Sequence, residues 1–190
     1  MQYLNKLKFV SACFLIIGLA LVFKPSYYYL KSYVIQYILH DLWINNKSNK
    51  ISIFELLDLN PIGKLNIPSV DIDCIILDEA NDRALSYGIA KVSNGAKIYD
   101  CNSNIVIAGH RDSYFNNLKN INIGDKVYLE HIEGISKYLI ENIKIVSPYE
   151  VENINKKYKD RITLITCYPF QFIGDAPYRY IVQGRLTVDN

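Results

Sequence analysis

Hydrophobic positions fall into three regimes along this chain. From Phe9 to Phe23 they run for 15 residues without a charge, "FVSACFLIIGLALVF", between Lys8 and Lys24. From Tyr27 to Leu42 they recur at helical spacing. Tyr27, Leu30, Val34, Tyr37, Ile38 and Leu42 share one stripe, which predicts an amphipathic helix over 26–43. From Pro61 onward they alternate with polar residues in short runs bounded by turn residues, the period of half-buried strands.

The third regime predicts most of the fold. "KLNIPSVDIDCIIL" (64–77) has the pattern of strand, turn and strand. "EANDRALSYG" (79–88) predicts a short helix ended by Gly88. "NIVIAGH" (104–110) is a buried strand that stops at Gly-His, and "LKNINIGDKVYLEH" (118–131) carries a Gly-Asp turn before an alternating strand. "SKYLIENIKIVSP" (136–148) is a strand pair or one long strand, and "RITLITC" and "YRYIVQGRL" complete the set. Seven or eight strands with little helix between them predict a mainly β fold, a closed or nearly closed barrel with a few short helices. Upstream, "NNKSNK" (45–50) is a polar linker, and "SIFELLDL" (52–59) predicts a short helix stopped by Asn60-Pro61. The expected division is 1–25 for an N-terminal start and membrane helix, 26–60 for a juxtamembrane helix and linker, and 61–190 for the barrel.

The N-terminal run admits a cleaved signal peptide or a retained signal-anchor. Its length is below the roughly 17–25 residues usual for a spanning helix, but flanking lysines can snorkel. No small-x-small cleavage site precedes "KPSYYYLKSY", and Tyr27, Tyr28 and Tyr29 sit where an interfacial aromatic belt would be. The expectation is a retained single-pass anchor at the cell membrane, N-terminus inside and barrel extracellular.

Composition narrows the partners. Lys and Arg number 21 against 19 Asp and Glu, a near balance that gives no electrostatic reason to expect nucleic acid. The four cysteines, Cys13, Cys74, Cys101 and Cys167, form no C-x-x-C pair and no zinc-spaced cluster. A Cys74–Cys101 bridge stays open. No metal or other cofactor is expected, because no acidic ligand set argues for one.

The candidate chemistry sits at strand ends. In "RITLITCYPF" (161–170), Ile162, Leu164 and Thr166 point to one face and Thr163, Ile165 and Cys167 to the other. Free cysteine is most often a buried filler. A nucleophilic cysteine needs a proton-handling partner. His40 lies in the N-proximal helix and His131 at a turn, whereas His110 ends a buried strand and is the best partner. Arg179 opens the strand after the 168–177 loop. Antiparallel pairing across that loop would bring it beside Cys167, while Arg185 would lie about 20 Å farther along. A guanidinium there suits an oxyanion or a peptide carbonyl; the bland alternative is a surface ion pair.

"TLITC" followed by a downstream Arg, with "GH" upstream, resembles the sortases, membrane-anchored cysteine transpeptidases of Gram-positive bacteria. "TCYPF" with "GDAPYRYIV" resembles their class D branch. "GKLNIP" (63–68) resembles the family's first barrel strand, and "GHRDSYFNNLKNINIGDKVYL" (109–129) its histidine segment. The resemblance implies the sortase barrel, with Cys167 as nucleophile, His110 as general acid/base, Arg179 as the substrate and oxyanion residue, and Thr166 lining the peptide groove. It also implies cleavage of a Leu-Pro-x-Thr-Gly-like sorting signal on surface proteins. The acceptor would be an amino group of a cell-wall precursor, or a pilin lysine. Ala90-Lys91 stands where related chains often carry Gly-His. The rivals are a hydrolytic cysteine protease using the same residues, and a membrane-tethered barrel that binds with an inert Cys167.

Overall fold

The computed structural model describes residues 2–45, 59–93, 96–100, 102–151 and 159–187. The helix expected over 52–59 and the linker over 45–50 fall almost wholly outside these residues.

Among the described residues eight strands close into a barrel: β1 (Pro61–Ile67), β2 (Ile72–Leu77), β3 (Ile89–Lys91), β4 (Asn104–Ala108), β5 (Lys126–His131), β6 (Gly134–Val146), β7 (Arg161–Tyr168) and β8 (Tyr178–Thr187). Their order around the barrel is β1-β2-β3-β4-β7-β8-β6-β5. Closure removes every edge strand from competition with other chains. All neighbours are antiparallel except β2–β3 and β4–β7, which are parallel. Residues 134–146 form one long strand, with a register shift between Ile140 and Asn142.

Alternation decides which side chains fill the barrel. Leu65 and Ile67 of β1, Val127 and Leu129 of β5, and Ile162 and Leu164 of β7 are all fully buried in one interior cluster. The intervening residues of β4, β7 and β8 point outward, where Val106, Ile165 and Ile181 form a smaller apolar patch with Val146. Before β5, Gly124 takes φ +94°, a left-handed turn conformation that side chains disfavour. The predicted short helix is α2 (Asp82–Tyr87), which follows the N-terminal α1 (Gln2–Asn45), and its first turn is capped by the Asn81 side chain accepting from the Ala84 N–H at 2.9 Å. Cys74 is a free, buried thiol, and Cys101, the other half of the bridge left open by the sequence, lies outside the described residues.

The N-terminal half departs from expectation. One continuous helix, α1, covers Gln2–Asn45 and runs through the boundary expected at residue 25. No helix among the described residues is long and apolar enough to cross a membrane. The physical reason is length: at ~1.5 Å per residue the uncharged run covers only ~22 Å of a ~30 Å hydrocarbon core. The docking face also differs from the predicted stripe. Tyr27, Leu30, Val34 and Tyr37 are exposed, whereas Ile35 and Leu39 are buried against β2 and α2. Gln36 donates to Tyr87 O at 2.7 Å and accepts from Ile75 N–H, and the Trp43 indole donates to Glu130 at 2.8 Å. The helix thus braces the barrel through a mixed polar and apolar face.

His131 ends β5 and supports the β5–β6 turn rather than a reactive centre. Its Nδ1 accepts from the Glu133 N–H at 3.2 Å, which leaves Nε2–H to donate to Ser136 Oγ at 2.9 Å. Burial pushes its pKa below the ordinary 6.5, with Glu133 partly opposing. Protonating Nδ1 would break the Glu133 contact. The folded state therefore binds fewer protons than the unfolded chain, and stability from this turn is present above about pH 6.5 and is lost as pH falls. His131→Gln is expected to flatten the drop in urea midpoint between pH 7.5 and 5. An unchanged drop would show that other groups carry it.

Candidate active site

The parallel pairing of β4 with β7 sets the site. Parallel strands end on the same rim, so the chain leaving β4 at Ala108 and the last residues of β7 come out side by side. The antiparallel β7–β8 hairpin then pairs Cys167 directly with Arg179. His110, Cys167 and Arg179 line one groove of about 290 Å³, together with Arg111, Asp112, Gly174, Asp175 and Ala176. His40 and His131 lie elsewhere: His40 faces Asp73 at 3.4 Å.

Each of the three is held by its backbone surroundings. Gly109 N–H donates to Ile165 O at 3.1 Å, which prolongs the β4–β7 ladder to the residue before His110. A Cβ at Gly109 would meet Phe115 at 2.8 Å and Ile89 at 2.9 Å, so only glycine lets the chain turn this close to the core. Cys167 is half-buried at the end of β7, beyond the fully buried Leu164. Arg179 Nη1 donates to Ala176 O at 3.1 Å and Tyr178 O at 3.0 Å. Among the described residues no carboxylate pairs with it, so the bland surface ion pair is absent. Arg185, by contrast, pairs across the hairpin with Arg161 and reaches Glu141 at 3.3 Å, far from the rim.

Thr166 does not line the groove. It is 2% exposed, points to the face opposite Cys167, and its hydroxyl donates to Gly109 O at 2.7 Å. The strand period requires this, since adjacent residues face opposite ways. Its place is behind the histidine, fixing the peptide that carries it.

Arg111 was not singled out by the sequence. Its Nη2 donates to Phe172 O at 2.7 Å and Gly174 O at 2.9 Å, and its guanidinium lies 5.9 Å from the Phe172 ring centre. It ties the His110 turn to the 168–177 loop and so fixes the distance between the two groove walls. On the other side of the hairpin Tyr168, Phe170 and Tyr180 pack as an aromatic triple, with Phe170 and Tyr180 centroids 5.2 Å apart. Ala90 is fully buried in β3, and Lys91 reaches toward Asp78 at 3.8 Å.

A closed mainly-β barrel that brings a cysteine, a histidine and an arginine to one open rim has the layout of a thiol acyl-transfer enzyme: a nucleophile, a proton carrier and a fixed cation for a developing oxyanion. The sortase-domain family model matches residues 65–187, and the chain belongs to the sortase family, which are cysteine transpeptidases. Sortase D of Bacillus subtilis (strain 168) is 32% identical over 124 residues, 65% of this chain and 62% of that protein. Sortase A of Bacillus anthracis is 32% identical over 130 residues, 66% of this chain and 60% of that protein. The chain thus spans about three fifths of the length of these two relatives. The solved structure of Streptococcus agalactiae Sortase C1 superposes with a TM-score of 0.63 at 26% identity, covering 69% of each chain.

Proposed function

We propose that this protein is a class D-like sortase that cleaves a Leu-Pro-x-Thr-Gly-like sorting signal after its threonine and transfers the surface protein to an amino group of the cell wall. The cross-strand pairing of Cys167 with Arg179, in a groove that His110 also lines, carries this reading. Cys167 attacks the threonine carbonyl as thiolate. Arg179 steadies the oxyanion and holds the peptide carbonyl. His110 protonates the departing glycine amine, leaving a thioester at Cys167, and later takes the proton of the incoming amine as the new amide forms and the thiolate departs.

The catalytic unit is residues 61–190, with 1–25 and 26–60 as its N-terminal attachment. On this reading the exposed, uncharged residues from Phe9 to Phe23 are a lipid-contacting attachment rather than a full span, and the barrel works at the outer face of the cell membrane. A second reading, pilin polymerisation with a pilin lysine as acceptor, has support from the likeness to a pilus-related sortase C of group B Streptococcus. Incubation of the full chain with a Leu-Pro-x-Thr-Gly peptide and competing amines separates these outcomes. Amide product with a cross-bridge-like glycine amine or a diamino acid is expected. Product only with a pilin-derived lysine peptide would favour the second reading. Hydrolysis alone would make the enzyme a peptidase.

A further inference from the structure

We propose that the N-terminal helix is a working part of the active site: Ser32 of α1, through Tyr114, holds the turn that carries His110 and so sets where the imidazole stands. The inference rests on His110 being the proton carrier proposed above, and makes Tyr114 and Ser32 positioning residues rather than catalytic ones.

The turn from His110 to Phe115 has two anchors on the barrel. At its start Gly109 is bonded to Ile165 O and to the Thr166 hydroxyl. At its close the Phe115 N–H donates to His110 O at 3.0 Å, and the Phe115 ring is fully buried against Gly109. Between them Tyr114 leans away from the groove, and its hydroxyl bonds Ser32 Oγ on α1. Ser32 Oγ also donates to Ser86 O at 3.0 Å. A serine hydroxyl has one hydrogen, so that hydrogen is already committed to Ser86 and Tyr114 is the donor to Ser32. Burial keeps the Tyr114 phenol above its ordinary pKa of 10, so the donor proton is present at every working pH.

This bond is not what docks the helix. Ile35 and Leu39 bury an apolar face, Gln36 bonds Tyr87 and Ile75, and Trp43 bonds Glu130, all without Tyr114. The Ser32–Tyr114 contact instead reaches from the docked helix to a residue four positions after His110. The same turn carries Arg111, which grips the 168–177 loop on the far wall. Loosening Tyr114 would therefore shift the histidine and the opposite wall together. Displacements on the order of 1 Å at a reacting group can cost about a hundredfold in rate.

The test uses the full chain with a sorting-signal peptide and a glycine amine. Tyr114→Phe and Ser32→Ala are each expected to lower kcat about tenfold while leaving KM within about twofold, because Arg111 still ties the two groove walls together and only their placement relative to Cys167 changes. The double variant should be no slower than either single, since both remove one bond. Ser32→Thr, which keeps a hydroxyl, should restore most of the rate. Trp43→Phe loses a helix–barrel bond at the far end, and should lower Tm but not kcat. Hydrogen exchange at the Phe115 amide should quicken in Tyr114→Phe, a readout independent of turnover. Wild-type kcat in both singles, losses that multiply in the double, or unchanged exchange at Phe115 would overturn the link. Absence of amide product from the wild type would instead overturn the transpeptidase reading, while the exchange result still decides whether Tyr114 holds the turn.

Discussion

Cys167→Ala is expected to abolish both acyl transfer and hydrolysis while leaving the melting temperature within a degree or two of wild type. The two halves of this expectation have separate causes. Without the thiol there is no acyl-enzyme, and neither His110 nor Arg179 can form one. Stability is spared because Cys167 belongs to none of the buried clusters; it sits half-exposed where β7 opens onto the groove. Truncating a true core side chain costs about 2–5 kcal/mol, which would show as a clear fall in Tm. Cys74 provides the internal contrast. It is buried in the barrel, and burial with the adjacent Asp73 charge pushes its thiol up to about 12. Brief iodoacetamide treatment at neutral pH followed by peptide mapping should modify Cys167 and spare Cys74. A large loss of Tm in the alanine variant, or an unreactive Cys167, would return this cysteine to the role of packing filler and leave the barrel as a binding module.

Arg179→Lys and His110→Ala should each lower amide formation by about 10²–10³, with Arg185→Ala and His131→Ala near wild type. Lysine keeps the charge but not the planar fork. Arg179 bonds the Ala176 and Tyr178 carbonyls through Nη1 while lining the groove, so its planar fork is held in place, an arrangement a flexible ammonium cannot reproduce. Arg185 tests charge without position, since it sits six residues along β8 and engages Glu141. His131 tests imidazole without position, being tied to Ser136. Full activity in Arg179→Lys would make the arginine a general electrostatic residue. Full activity in His110→Ala would remove it from the proton path.

The barrel was largely legible because its signal is local. Alternation in "KVYLEH" and in "RITLITC" states which residues face inward, and the loop between "TC" and "YRYIV" is short enough to imply a hairpin, which puts Arg179 across from Cys167. The helix was harder to read because its docking face is not its most apolar face. Tyr27 and Tyr37 look like core residues by hydropathy, yet the contact runs through Ser32, Ile35, Gln36, Leu39 and Trp43, where hydrogen bonds to backbone carbonyls and a carboxylate replace oil. Arg111 and Thr166 illustrate a further limit. Each acts on the backbone of a segment more than fifty residues away, and nothing in the local pattern names that partner. A sequence signal did exist for Arg111, a charge directly after the histidine, but charge alone does not distinguish a latch from a solvated face.

The parallel pairing of β4 with β7 also governs when the enzyme can exist. Asn104 pairs with Arg161 and Ala108 with Ile165, so each rung closes a loop of 57 residues, whereas β5–β6 and β7–β8 close short hairpins. Closing a long loop spends chain entropy before any contact repays it, which places this pairing late in folding. Chain order adds a second delay: β7 and β8 emerge from the ribosome after the other six described strands. The thiol therefore spends the growth of the chain apart from its histidine, and a nascent or half-folded molecule carries a cysteine but no catalyst.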